Sequence, residues 1–318
     1  MMEALWERRA VLVSGKGGVG KTTFAAALAR AAMASGRRVL LADMEVSSEE
    51  QGGSPLAALV GVREPGSRVT EVEPGRLSFV RLSAAEGHRR FLEQVLPIRL
   101  MADAAMRSRA LRRFLEAGPA LREMGVLYHL LDLLQRTRKD KSFEHPLCIV
   151  DLPATGHALA LASLPQVLLT VLPGGPIGRT VRQGMDFLQD PARCAALLVT
   201  LPEPLPVSET VELAGELSRH RIPLAGVVLN RVPEDPFAPE GRAALDRLLD
   251  THGPHRGQRA LDRLDRARAA EARLATHLVA PLLRVPELPF TGRELMARLA
   301  EALSPSARTP VRTSGAFP

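Results

Sequence analysis

Residues 15–22 read Gly-Lys-Gly-Gly-Val-Gly-Lys-Thr and follow the apolar run Val11-Leu12-Val13-Ser14. Behind them comes Thr23-Phe24-Ala25-Ala26-Ala27-Leu28-Ala29, a run suited to a helix. This is the pattern G-x-x-x-x-G-K-[ST] in a strand–loop–helix context. Glycines there let backbone N–H groups turn inward around phosphate oxygens, and the helix N-terminus adds partial positive charge. Lys21 is expected to reach the β- and γ-phosphates, and the Thr22 hydroxyl to bind Mg²⁺. The candidate nucleotide-binding residues are therefore Gly15, Gly17, Gly18, Val19, Gly20, Lys21, Thr22 and Thr23, and the chemistry is phosphoryl transfer from Mg²⁺-ATP. The chain has lysine only at 16, 21, 139 and 141 and otherwise uses arginine. Two of those four lysines lie in this loop, where a compact ammonium fits and a planar guanidinium does not.

A second carboxylate-bearing run, Leu147-Cys148-Ile149-Val150-Asp151, ends in an acid. Asp151 at a strand end can accept hydrogen bonds from Mg²⁺-bound water, which makes Thr22 and Asp151 the candidate metal residues.

The elements that must hold these groups recur along the chain. Apolar, β-branched runs fall at about 10–14, 38–42, 77–82, 147–151, 167–172, 195–200, 224–230 and 277–285, with helical periodicity between most of them. Continuous apolar strands alternating with helices predict an α/β fold, a mostly parallel sheet with helices on both faces. Residues 1–303 are expected to form one domain. A helical insertion is expected at about 86–142, and a second helical excursion at about 235–277. The Ser/Pro/Thr/Arg-rich tail 304–318 is predicted to be disordered.

Composition narrows the function. The net charge is +7, but basic and acidic residues are interspersed, so a solvated surface accounts for the charge better than a nucleic-acid footprint. Aromatics make up 3% of the chain, which argues against base-stacking surfaces. Two cysteines exclude a four-cysteine metal site within one chain and fit a reducing, cytoplasmic compartment. The N-terminus has no apolar leader-like run. Residues 152–178 lack Asp, Glu, Lys and Arg, but Pro153, Pro165, Pro173 and Pro176 interrupt them and count against a membrane span.

Lys16 makes the phosphate loop distinctive. GKGGVGKT resembles the deviant Walker A motif of SIMIBI-class ATPases: MinD, ParA, the nitrogenase iron protein, and the ArsA and tail-anchored-protein-targeting (GET-pathway) ATPases. The resemblance implies that Lys16 crosses a dimer interface to the partner's nucleotide; otherwise it is a surface lysine in a loop. Leu152-Pro153-Ala154-Thr155-Gly156-His157 is similar to the D-T-A-P-T-G-H switch II segment of the ArsA/GET branch. That likeness implies γ-phosphate sensing by Pro153, Thr155, Gly156 and His157; taken alone, His157 reads as a surface-loop histidine. Asp190-Pro191, Leu201-Pro202-Glu203 and Glu209-Thr210 look like the branch's D-P, P-E and E-T stretch. Gly226-Val227-Val228-Leu229-Asn230 looks like its strand whose Asn holds adenine, a role an amide suits because it donates and accepts. A strand-end cap is the other reading of Asn230. Pro286, in Val285-Pro286-Glu287-Leu288, resembles the loop packing on the base. The likeness runs over about residues 10–303.

The chain also departs from the branch. Where the branch has D-P-A-H in switch I, this chain has Asp43-Met44-Glu45-Val46. The resemblance implies that Asp43 orients the attacking water, unless it only ends a strand. Lys16, Lys21 and Asp43 are thus the catalytic candidates. With Pro, Ala and His missing, hydrolysis is expected to be slow or to need a partner. Neither arsenite-binding cysteines nor a zinc CxxC is present; Cys148 and Cys194 read as small buried apolar residues. The apolar residues of 86–117, among them Phe91, Leu92, Val95, Leu96, Ile98, Leu100, Met101, Met106, Leu111, Phe114 and Leu115, divide between core and a client groove.

The resemblance implies an ATP-driven dimeric switch that captures and releases a client, such as a hydrophobic membrane-protein segment. Its cofactors would be ATP and Mg²⁺, with a homodimer or a paralogue as partner, no nucleic acid and no direct membrane anchor. The alternatives are a weakly hydrolysing regulatory subunit that pairs with a paralogous ATPase, and a ParA/MinD-like positioning ATPase.

Overall fold

A computed structural model describes residues 2–44, 53–95, 108, 119–153, 169, 174–252 and 257–304. Its eight strands are β1 Ala10–Ser14, β2 Val39–Asp43, β3 Thr70–Glu73, β4 Leu77–Arg81, β5 Leu147–Asp151, β6 Cys194–Thr200, β7 Leu224–Val232 and β8 Leu282–Pro286. They form one sheet in the order β3-β4-β2-β5-β1-β6-β7-β8. β3 runs antiparallel to β4, and every other neighbouring pair is parallel.

The described helices are α1 Met2–Trp6, α2 Lys21–Ala34, α3 Pro55–Val60, α4 Ala84–Val95, α5 Pro119–Gln135, α6 Gly175–Gln189, α7 Pro204–Arg219, α8 Pro239–His252, α9 Gln258–His277 and α10 Gly292–Leu303. This is the expected α/β architecture.

Strand alternation sends successive side chains to opposite faces. Val11 and Val13 of β1, Leu41 of β2, Ile149 of β5 and Val199 of β6 join one core with α2 and α10. On the other face, Leu12, Leu40, Ala42 and Val150 pack with Leu127, Leu130, Leu131 and Leu134 of α5. A third cluster joins Leu198 and Leu229 to Leu213 and Leu217 of α7 and to Leu274 of α9. In α2, Phe24 to Ala29 are all buried, and the short alanine side chains bring its backbone close to the sheet.

Several expected boundaries move. β3 was not anticipated: it is a four-residue edge strand, Thr-Glu-Val-Glu, and too polar to read as one. The expected strand at 277–285 shrinks to β8: His277 closes α9, and residues 278–281, which include Pro281, form the connection. All but one residue of the expected 167–172 strand, and all of the tail beyond Ser304, lie outside the described residues.

Helices α4 and α5, within the expected insertion, cross at two glycines. A Cβ on Gly87 would lie 1.7 Å from the Gly125 carbonyl oxygen, so the backbones touch. Phe91 and Tyr128 meet edge to face nearby, with ring centroids 5.4 Å apart. Of the candidate groove residues, Phe91 thus packs between helices; the side chains from Val95 to Leu115 lie outside the described residues. His129, on the same helix pair, is 1% exposed and accepts a hydrogen bond at Nδ1 from the Ser83 N–H (3.1 Å). Burial pushes its pKa down to about 4, against weaker opposing pulls from Glu86 and Asp132.

In the second helical excursion, Arg242 of α8 bonds Asp246 (2.9 Å) on its own helix and Asp265 of α9 (2.7 Å). Cys148 and Cys194 are buried and stand opposite Ala10 on its two sides, in β5 and β6. Burial raises both thiols, that of Cys194 to about 12. Among the described residues, no helix is long and apolar enough to cross a membrane.

Candidate nucleotide site

The carboxyl ends of the parallel strands, where α/β sheets place ligands, gather the polar groups found in the sequence. The phosphate loop joins β1, the inner strand between β5 and β6, to α2. Its first glycine is sterically required. Gly15 has φ +147°, and a Cβ there would lie 2.1 Å from the Val199 carbonyl oxygen of β6. Gly20 has φ +96°, and a Cβ there would meet the Asn230 amide nitrogen at 2.6 Å. Gly17 and Gly18 form the exposed tip of the loop, whereas the Val19 side chain is buried.

Gly20 is also the N-cap of α2 and supplies no side chain to the helix end. The first amides of α2 are left for an anion. Thr22 and Thr23 lie half-buried in this first turn.

Lys21 donates to the Lys16 carbonyl oxygen (3.1 Å), which folds it back over the loop. Desolvation lowers its pKa, and the Asp151 carboxylate opposes that shift. Lys16 itself pairs with Glu209 of α7. The Glu209 pairing was not anticipated. The sequence shows Glu209-Thr210 only as a branch marker, 193 residues away from Lys16.

Asp43 and Asp151 end β2 and β5 as paired positions, and both are buried (5% and 7% exposed). The chain turns away after each acid through hydrogen bonds across the sheet. Met44 N–H donates to the Asp151 carbonyl (3.1 Å), Leu82 N–H to the Asp43 carbonyl (2.8 Å), and Leu152 N–H to the Val13 carbonyl (2.9 Å). The two strand-end carboxylates and the Thr22 hydroxyl, at the start of α2, offer oxygen donors alone at this end of the sheet. That chemistry fits a hard divalent cation such as Mg²⁺. Pro153 follows half-buried, while Thr155, Gly156 and His157 lie outside the described residues, as does Glu45.

Asn230 lies on β7 beyond β6 and is 8% exposed. Its amide nitrogen donates to the Val19 carbonyl oxygen (2.8 Å), and its amide oxygen accepts from the Arg231 N–H (3.0 Å). An amide has two donors and two acceptor positions, so half of its capacity remains for a ligand. Pro286 stands at the end of β8 opposite Val232 of β7. It lines a groove of about 870 Å³ with Val232, Leu288 and Phe290. The loop after it is tied down by Glu287, which accepts from Arg263 of α9 at 2.8 Å and whose N–H donates to the Val232 carbonyl (2.9 Å).

Lys21, Thr22, Asp43, Asp151 and Asn230 thus converge on one end of the sheet, with Lys16 at the rim and Pro286 at the β8 side.

Known proteins resemble this chain in sequence. Residues 10–277 match the family model described as the CobQ/CobB/MinD/ParA nucleotide binding domain. The chain is 29% identical over 221 residues to the ATPase BagA of Mycobacterium tuberculosis, a match covering 69% of this chain and 64% of that protein. It is 28% identical over 295 residues to an arsenical pump-driving ATPase of Acidiphilium multivorum, covering 92% of this chain and 44% of that protein. A similarly named ATPase of Escherichia coli is 29% identical over 234 residues, 70% of this chain and 35% of its own. The matched region therefore spans less than two thirds of each relative. With the phosphate loop, the strand-end acids and these likenesses together, the chain belongs to the CobQ/CobB/MinD/ParA nucleotide-binding family, as an ArsA-like member.

Proposed function

We propose that the protein is a Mg²⁺-ATP-dependent switch that binds ATP at the phosphate loop and hydrolyses it with water oriented by Asp43. The observation that carries this reading is the register of Asp43 against Asp151 beside the Lys21 cradle. Thr22 and Asp151 would hold Mg²⁺, the first directly and the second through its bound water; the ion would neutralise phosphate charge. Asp43 would accept a hydrogen bond from the attacking water, and the α2 amides and Lys21 would hold the phosphates.

As a switch, the protein would act as a dimer, with Lys16 reaching a second subunit's nucleotide. Its output would be capture and release of a client, with an apolar membrane-protein segment as the candidate class. Arsenite is a poor candidate substrate, because burial raises both thiols and withholds the thiolates that would bind it.

Lys21→Ala tests the ATPase reading. Purified protein should lose ATP turnover, and unchanged turnover would refute it. Sedimentation with a non-hydrolysable ATP analogue tests the dimer. Client capture is tested by co-purification with the Asp43→Asn protein held in Mg²⁺-ATP.

A second reading has its own observation. After Asp43 the sequence lacks the proline, alanine and histidine of the branch, and Met44, in the proline's place, is buried in the core. A subunit that binds nucleotide but hydrolyses it only beside a paralogue fits that feature. Robust turnover by the pure chain would exclude it.

A further inference from the structure

The two edges of the described sheet are guarded differently. β3 presents Thr-Glu-Val-Glu, whose Glu71 and Glu73 discourage a further strand. β8 presents Leu-Leu-Arg-Val-Pro. Its single charge, Arg284, is drawn to Glu271 of α9 (3.5 Å). Only half of its backbone is paired. The Val227 N–H donates to the Pro281 carbonyl oxygen (2.9 Å), which sets the parallel ladder. Leu283 and Val285 therefore turn toward β7, while Leu282 and Arg284 turn their N–H and C=O groups outward, where no described strand lies.

That open edge lies in a slot. The groove of about 870 Å³ that Pro286 joins runs along Leu283 and Val285. Leu264 and Ala267 of α9 wall it on one side, and Leu299 and Leu303 of α10 on the other. Neither Asn230 nor the phosphate loop lines it. Apolar walls beside unpaired backbone groups suit an extended peptide, which adds to a sheet edge by main-chain hydrogen bonds. The β8 edge of a second copy fits the slot poorly, because its own α9 and α10 would meet these helices first.

The chain supplies an occupant. Leu303 lines the groove and closes α10, so residues 305–318 leave from the groove wall. Extended, they reach about 45 Å, against about 17 Å for β8. Residues 311–317 lie between Pro310 and Pro318 and contain no proline themselves. At a period of two, Val311, Thr313 and Phe317 share one face, and Arg312 and Ser314 the other. Such a segment is too polar to fold alone, but an edge offers partners to its backbone whatever its side chains.

We propose that residues 311–317 add to β8 as a further strand in the slot between α9 and α10. The added strand runs antiparallel to β8. A parallel one would make a left-handed crossover, because α2 carries β1 to β2 over the same face of the sheet in the opposite direction. In this arrangement Leu282 and Arg284 gain main-chain partners, and Val311 and Phe317 shelter against a helix wall.

The test is residue-resolved hydrogen exchange on the full chain, comparing the wild type with the double variant Val311→Asp, Phe317→Asp at low and high protein concentration. The Leu282 and Arg284 amides should exchange about tenfold or more slowly in the wild type, at both concentrations, because the segment is tethered. Amides of β1 should exchange alike in both proteins, which shows that both are folded. Equal exchange at Leu282 and Arg284 in the two proteins would overturn the proposal. Protection that grows with concentration would place a second copy's segment in the slot and would overturn it as well.

Discussion

Asp43 and Asp151 occupy paired positions at the ends of neighbouring parallel strands, so two buried carboxylates stand side by side at the mouth of the phosphate cradle. Strand spacing of about 4.8 Å keeps them within reach of one cation and one water. They differ in neighbours: the Asp151 charge acts on Lys21, whereas Asp43 lies one strand further out. Asp43→Asn should therefore leave nucleotide affinity within about threefold and lower turnover by about 10²-fold, the loss of a positioned proton acceptor. Asp151→Asn should instead weaken Mg²⁺-dependent binding. Steady-state turnover beside titration of a fluorescent nucleotide separates the two. Equal losses of binding in both variants would contradict the assignment.

Gly20 and Asn230 predict a joint defect. A methyl group at Gly20 would press on the amide that holds the Val19 carbonyl, in a backbone region that disfavours any Cβ. Gly20→Ala should weaken ATP binding by about tenfold or more, consistent with strain of about 1–2 kcal/mol and a displaced loop. Asn230→Ala should weaken ATP and ADP alike, because it loses the tie to the Val19 carbonyl and, on the proposed reading, the amide offered to the base. Calorimetric titration with both nucleotides checks this; a defect confined to ATP would place Asn230 at the γ-phosphate instead.

His129 predicts an acid-sensitive stability. It is neutral in the fold, held by burial at a pKa of about 4, while in the unfolded chain it titrates near 6.5. The unfolded state therefore takes up a proton that the native state refuses, and stability falls as pH drops from about 6.5 toward 4. By pH 5 the loss from this group is about 2 kcal/mol relative to pH 8. His129→Asn keeps an acceptor for the Ser83 N–H and should flatten that part of the profile. Urea unfolding at pH 8, 6 and 5 measures it, and an equally steep profile in the variant would rule His129 out as its source.

The Gly87–Gly125 crossing leaves no room for a side chain. Gly87→Ala should cost about 1–3 kcal/mol, because the obstacle is backbone and cannot swing aside. Thermal unfolding should begin about 3–8 °C lower. Gly17→Ala, with nothing near its added carbon, should hold the wild-type midpoint and serves as the control.

The phosphate loop was legible because its chemistry is contiguous: eight residues carry the turn, the cradle and both lysines. Asp151 was legible because an apolar run ending in an acid marks a strand delivering a charge to the sheet edge. The sheet class followed from the same apolar runs. What sequence order hides is pairing at a distance. Glu209 meets Lys16 across 193 residues, and nothing local to either predicts it. The Asn230 tie to Val19 spans 211 residues; the sequence offered Asn230 for the base or as a strand-end cap, not as a tie to the phosphate loop. β3 escaped notice because an edge strand exposed to water needs no apolar alternation. The expected strand began too early because Leu278 and Val279 read as strand residues, whereas they belong to the connection between α9 and β8.

The two cysteines flanking Ala10 make the molecule nearly silent toward thiol reagents. Both sulfurs are sealed in the sheet and far from ionising near neutral pH. A single cysteine introduced at an exposed position, such as Gly17 at the loop tip or Leu205 on the first turn of α7, would therefore be the one group that takes a spectroscopic label. Paired labels at those places would read the distance between the phosphate loop and α7 with and without nucleotide, in a chain that otherwise keeps its native composition.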